Sequence, residues 1–197
     1  MKKIILIFVL LLTVNTNNFE NKYFKIVLPD NYIQSKDNNT YKWTNKNNKN
    51  DYLLITIAKN NIFNVEDFTD DDINKYKDNL EKSFSEELNI NNKIYNIKKE
   101  KINGYYALIY NTVYYKNDIL DHDIYHKAYL FTYNGYTYLC SFVSDVEEFN
   151  DNEIMNSFDI KTIVEINYTY INILVVVGSI LAIATAIIRR VIKKKRH

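Results

Sequence analysis

Two imidazoles four residues apart, His122 and His126, lie in the run Asp118-Ile119-Leu120-Asp121-His122-Asp123-Ile124-Tyr125-His126. With their interleaved aspartates they form the grouping in this chain whose residue types could bind a metal or move a proton. On a helix, His at i and i+4 would be neighbours able to chelate zinc. In a strand they share a face but stand about 13 Å apart, too far to hold one ion. The flanking Ile-Tyr and Tyr-Leu-Phe pattern favours a strand over His122 to Tyr133, which leaves polar residues at a sheet edge or loop. A surface enzyme or metal-binding protein using the His122/His126 region is the alternative.

Other chemistry is sparse. Cys140 is the single cysteine, so neither an intramolecular disulfide nor a cysteine-based metal site can form, and its strand-forming neighbours point to a buried, inert thiol. Asp70-Asp71-Asp72 and Glu86-Glu87 suit a helix start and a helix surface. Three glycines are too few for a nucleophile elbow, phosphate loop or dinucleotide fingerprint, and none is present. The expectation is a protein that is not an enzyme, with no cofactor and no metal. Eighteen tyrosines offer a different chemistry, an aromatic plate with a polar tip that binds peptide or glycan at low entropic cost. Tyr105, Tyr115 and Tyr125 are the candidate surface contacts, although β-propensity and an AT-rich codon bias also explain the abundance.

The elements that must carry these residues are legible in outline. Tyr23 to Leu28 predicts a strand ended by Pro29, which cannot donate to a ladder. Ser35 to Asn39 is a polar stretch, Tyr41 to Thr44 a short strand, and Tyr52 to Ala58 a nearly continuous β-branched strand suited to a sheet interior. Thr69 before three aspartates marks a helix start. Ile73, Tyr76, Leu80, Phe84 and Leu88, spaced three, four, four and four, place one apolar face against a sheet. Strands resume from Lys93, with a turn or bulge at Gly104, a long strand over Tyr106 to Tyr115, and Asn134-Gly135 as a hairpin between two further long strands. Phe149 to Val164 predicts a second helix. The fold class is α+β, an antiparallel sheet with helices packed on its faces.

The ends fix the expected setting. Lys2-Lys3 followed by an aliphatic run to Leu12 predicts a signal peptide over 1–18, and an extracytoplasmic domain follows over 19–165. Ile171 to Ile188 is an uncharged apolar run, about 27 Å long as a helix, which predicts a transmembrane helix over 170–188. Six basic residues in the tail 189–197 act as a cytoplasmic stop and meet an anionic inner leaflet. Eight of the 25 basic residues lie at the two ends, so 17 lysines face all 24 acids between residues 19 and 167, a net charge of −7. That disfavours a nucleic-acid partner. The expected localisation is the cell membrane, single-pass, with the domain outside and the tail in the cytoplasm. Gly178, Ala182 and Ala186 repeat every four residues, a spacing that admits a helix–helix contact with a partner or a homodimer.

Phe24-Lys25-Ile26-Val27-Leu28-Pro29, a helix after a Thr-Asp start, Gly104-Tyr105-Tyr106-Ala107, the strand Tyr136-Thr137-Tyr138-Leu139 and a closing Ser157-Phe158 together resemble the PsbP-like superfamily. It includes the extrinsic photosystem II protein, DcrB-type envelope proteins and Ran-binding relatives. The resemblance spans about Lys22 to Ile163. It implies an antiparallel sheet with helices on its faces and an accessory or binding role, with no ligand residues to carry over. Unlike the photosynthetic members the chain has a span and a basic tail, which points to a subunit or modulator of an envelope assembly and an envelope or membrane protein as partner.

Overall fold

Asn-Gly at Asn103-Gly104 and again at Asn134-Gly135 supplies the two left-handed residues that a tight hairpin turn needs, with φ of 49° and 91° in the first and 48° and 73° in the second. The first joins β6 (Asn92–Ile102) to β7 (Tyr105–Tyr114) and the second joins β8 (Ile124–Tyr133) to β9 (Tyr136–Ser144), and with a longer β7–β8 connection the four strands form a meander. The computed structural model describes residues 16–37, 40–60, 62–118 and 120–161. Across the far edge of β9 lie β5 (Tyr52–Lys59), β4 (Thr40–Asn45) and β3 (Tyr32–Asp37), giving an antiparallel sheet ordered β3-β4-β5-β9-β8-β7-β6. Nothing lies within 4 Å of a Cβ built on Gly104, so only its backbone opposes a side chain. Gly104→Ala should therefore cost about 1–2 kcal/mol, seen as a lower urea midpoint at unchanged slope. An unmoved midpoint would mean that the turn relaxes freely.

Helix α1 (Asp70–Leu88) covers one face of this sheet. The Thr69 side chain accepts from the Asp72 amide while the Asp72 carboxylate accepts from the Thr69 amide, a reciprocal cap that satisfies two of the helix's orphan donors. Ile73, Leu80 and Phe84 pack with Leu54, Leu108, Leu130 and Val143, and the Phe84 ring meets Tyr114 edge-on at 5.0 Å. Full burial of each such side chain contributes roughly 1.5–3 kcal/mol.

The second face departs from expectation. Instead of a long helix it is covered by a small sheet, β1 (Thr16–Glu20), β2 (Phe24–Pro29) and β10 (Asp159–Ile160), together with a short helix α2 (Asp151–Asn156). The helix expected over Phe149 to Val164 stops at Asn156, because the Ser157 hydroxyl bonds across to β2. It accepts from the Val27 amide at 2.8 Å and lies 3.1 Å from the Val27 carbonyl, pulling the chain into an extended conformation. Phe158 then enters the core against Phe24 and Phe131. A further difference follows a sheet edge: the polar stretch from Ser35 forms part of β3. Strand β1 begins at Thr16 and pairs with β2, and most of the expected signal peptide over 1–18 lies outside the described residues. No helix among the described residues is long and apolar enough to cross a membrane, and the expected span over 170–188, with Gly178, Ala182 and Ala186, lies outside them.

Candidate functional site

The hairpin tips gather at one end of the sheet. Register fixes the ends: Tyr52 pairs with Val143 and Lys59 with Tyr136, a strand length of roughly 25 Å apart. At the Lys59 end the Asn60 amide donates to the Gly135 carbonyl at 2.7 Å, tying the loop after β5 to the β8–β9 turn. The Asn60 carboxamide closes that loop on itself, accepting from the Ile62 amide at 2.9 Å and donating to the Phe63 carbonyl at 2.9 Å, as Asn does in turns. Thr132 then bridges sheet and loop, its hydroxyl accepting from the Val65 amide and donating to Asn64 Oδ1, both at 2.8 Å. An open cleft of about 440 Å³ results, lined chiefly by Asn60, Ile62, Phe63, Glu66, Thr132, Tyr133 and Tyr136.

The small sheet brings the chain's last described residue to the same end. The Lys161 amide donates to the Tyr23 carbonyl at 2.9 Å, and the Tyr23 ring stands edge-on to Tyr136 at 5.7 Å. Tyr105, whose ring meets Tyr133 at 5.1 Å, donates to the Ile160 carbonyl at 3.0 Å. Burial, then the Asp159 carboxylate, push its hydroxyl above the usual range, so it remains a neutral donor. Asn103 closes the corner by donating to the carbonyls of Met155, Asn156 and Phe158 at 2.9–3.1 Å, groups left over where α2 ends. Lys22 rides over the Tyr23 ring at 4.7 Å, Lys101 lies over Tyr106 on the α1 side at 5.4 Å, and Lys161 pairs with Glu20. Chemically this end offers aromatic plates, carboxamides and ammonium groups, which suit binding.

The structure separates the residues singled out from the sequence. His122 lies outside the strand that was expected to carry it, which starts at Ile124, and it contacts Asp121 in a half-exposed connection. His126 is buried under α1, with Nδ1 in contact with the Tyr114 hydroxyl at 3.3 Å and no hydrogen-bond partner at Nε2. The two therefore occupy different environments, and among the described residues no group of three or more His, Cys, Asp or Glu side chains converges on a metal position. Of the candidate tyrosines, Tyr105 belongs to the cleft end, while exposed Tyr115 and half-buried Tyr125 lie at the other end of β7 and β8, roughly 30 Å away. Cys140 is fully buried, and burial pushes its thiol up, away from nucleophilic chemistry.

A third polar assembly had no sequence signal. Asp151, at the first turn of α2, is 2 % exposed, yet its Oδ2 is 2.6 Å from Lys127 Nζ and accepts from the Tyr129 hydroxyl. It joins α2 to the middle of β8, a structural ion pair beneath the elements that lead to Lys161.

An antiparallel seven-stranded sheet with one long helix on one face and a small sheet on the other is a PsbP-like α+β fold. The similar solved structures include the solution structure of cyanobacterial PsbP (CyanoP) from Synechocystis sp. PCC 6803, at a TM-score of 0.55 and 12% identity, covering 75% of this chain and 94% of that one. A crystal structure from Bacteroides thetaiotaomicron matches at a TM-score of 0.48 and 12% identity, over 72% of this chain and 46% of that one. No protein-family model and no curated protein matches the chain.

Proposed function

We propose that this chain is a membrane-tethered, extracytoplasmic accessory protein, non-catalytic, that serves as a subunit or modulator of an envelope assembly. The observation that carries it is the uncharged run Ile171 to Ile188, which is separated from Lys161 by nine residues and is followed by six basic residues. The PsbP-like fold supports the accessory role by analogy with proteins of that architecture. The cleft fits a binding function, since carboxamides, a threonine and tyrosines line it and Glu66 is its one carboxylate.

The tether reading assigns partner contact to the small-residue face of the span. Affinity co-purification of the tagged full-length protein from its native membranes in mild detergent should recover a specific membrane protein, and Gly178→Leu/Ala182→Leu should lose it. Recovery of the same partner from that variant would move the contact to the domain surface, and recovery of no partner from either would remove the envelope-subunit reading.

A further inference from the structure

We infer that the cleft end of the domain rests on the lipid headgroup surface, with Ile62 and the tyrosines around it entering the interface and the lysines meeting lipid phosphates. This rests on the tether reading and adds an orientation and a lipid contact to it.

Three observations converge. Lys161 leaves the fold at this end, and the chain from Lys161 to Ile171 reaches at most about 36 Å even when fully extended, so this end stays within that distance of the span. Ile62 is 59 % exposed, the most exposed large apolar side chain among the described residues, and it projects beside Tyr133 and Tyr136. Around it stand Tyr23 and Tyr105 with Lys22, Lys59, Lys101 and Lys161, among which lie Glu20, Glu66 and Asp159, and the acids Asp67, Asp70, Asp71 and Asp72 follow at the start of α1. Tyrosine and lysine are the side chains that favour a membrane–water interface, one by its amphipathic ring and the other by carrying its charge outward on an apolar stem.

Charge at the far end favours the same orientation. There Asp51 binds Asn45 and Tyr32, Asp145 binds Asn48 and Asn50, Asp123 takes the Lys116 amide, and Glu147 takes the Tyr95 hydroxyl. These carboxylates stand roughly 25 Å from the cleft, so an anionic surface repels that end.

The test uses the full-length chain in proteoliposomes of phosphatidylcholine and phosphatidylglycerol, with a nitroxide on Ile62→Cys or, at the acidic end, on Val146→Cys. Both positions are exposed, at 59 % and 54 %, so neither change disturbs the core, and buried Cys140 in the wild-type chain serves as the unlabelled control. The label at 62 should collide several-fold less with a water-soluble nickel complex, and more with oxygen, than the label at 146. Equal aqueous collision at both positions in a chain that resists carbonate extraction would overturn the docking and leave the tether standing. A chain that carbonate strips from the vesicles would overturn the tether and the docking with it.

Discussion

Lys127→Met is expected to destabilise the domain by about 3–5 kcal/mol, more than Asp151→Asn does. The asymmetry comes from which charge can reach water. The Asp151 side chain is 2 % exposed and that of Lys127 is 22 %, so removing the ammonium strands a carboxylate in the core, whereas the lysine left by Asp151→Asn can swing its Nζ toward solvent. The carboxamide introduced by Asp151→Asn would also still offer an oxygen to the Tyr129 hydroxyl, whose pKa burial and then Asp151 raise, so that it remains a donor at any ordinary pH. A Lys127→Met/Asp151→Leu double variant should recover most of the loss, since an apolar pair removes the desolvation cost as well as the attraction. Urea unfolding followed by the fluorescence of Trp43, the sole tryptophan and a core residue, measures all three. A midpoint for Lys127→Met near that of wild type, or below it by less than for Asp151→Asn, would contradict the account.

This ion pair also bears on the proposed tether. Asp151 fixes the start of α2, Ser157 bonds β2, and Ile160 pairs with Phe24, so the last described elements are anchored to β8 and β2 before the chain leaves at Lys161. Under the proposed tether, pull on the span would be borne by the core of the domain. Loss of the pair should free the exit segment as well as lower stability.

What the sequence disclosed follows how local each feature is. Helix α1 was legible because its cap and its apolar spacing lie within one stretch, and the β8–β9 hairpin because Asn134-Gly135 can do little else. Strand β3 was not, since it is an edge strand in which exposed Ile33, Gln34 and Ser35 carry no burial pattern. The second helix was overextended because its true end depends on Ser157 reaching Val27, 130 residues earlier. The cleft shares that non-locality: Tyr23, Asn60, Tyr105, Tyr133 and Lys161 are remote in sequence and meet only because several strands reverse at the same level. Asp151 resembled an ordinary acidic helix start, and only the burial of its side chain distinguishes it from Asp70, which is exposed.

His126 should make the domain acid-sensitive. Its imidazole is stacked on Tyr114 at 6.1 Å and set edge-on to Tyr110 at 6.0 Å, both neutral phenols, on the sheet face covered by α1. Burial alone pushes its pKa down to about 3. The unfolded chain, with an ordinary imidazole near pH 6.5, takes up a proton that the folded chain refuses. Stability is therefore intact above about pH 6.5 and falls as the pH drops toward 3. The loss amounts to about 2 kcal/mol between pH 8 and pH 5 and continues at about 1.4 kcal/mol per pH unit below that. Carboxylates held below their usual range, such as Asp145 bonded to Asn48 and Asn50, add their own loss, chiefly under pH 5, so the window above it isolates the histidine. His126→Phe keeps a planar ring beside Tyr114 and has nothing to protonate. Urea midpoints from pH 8 to pH 5 should decline in wild type and stay nearly level in that variant, whatever its absolute stability. Parallel profiles would show that another group carries the acid response and that the buried imidazole is solvated well enough to titrate normally.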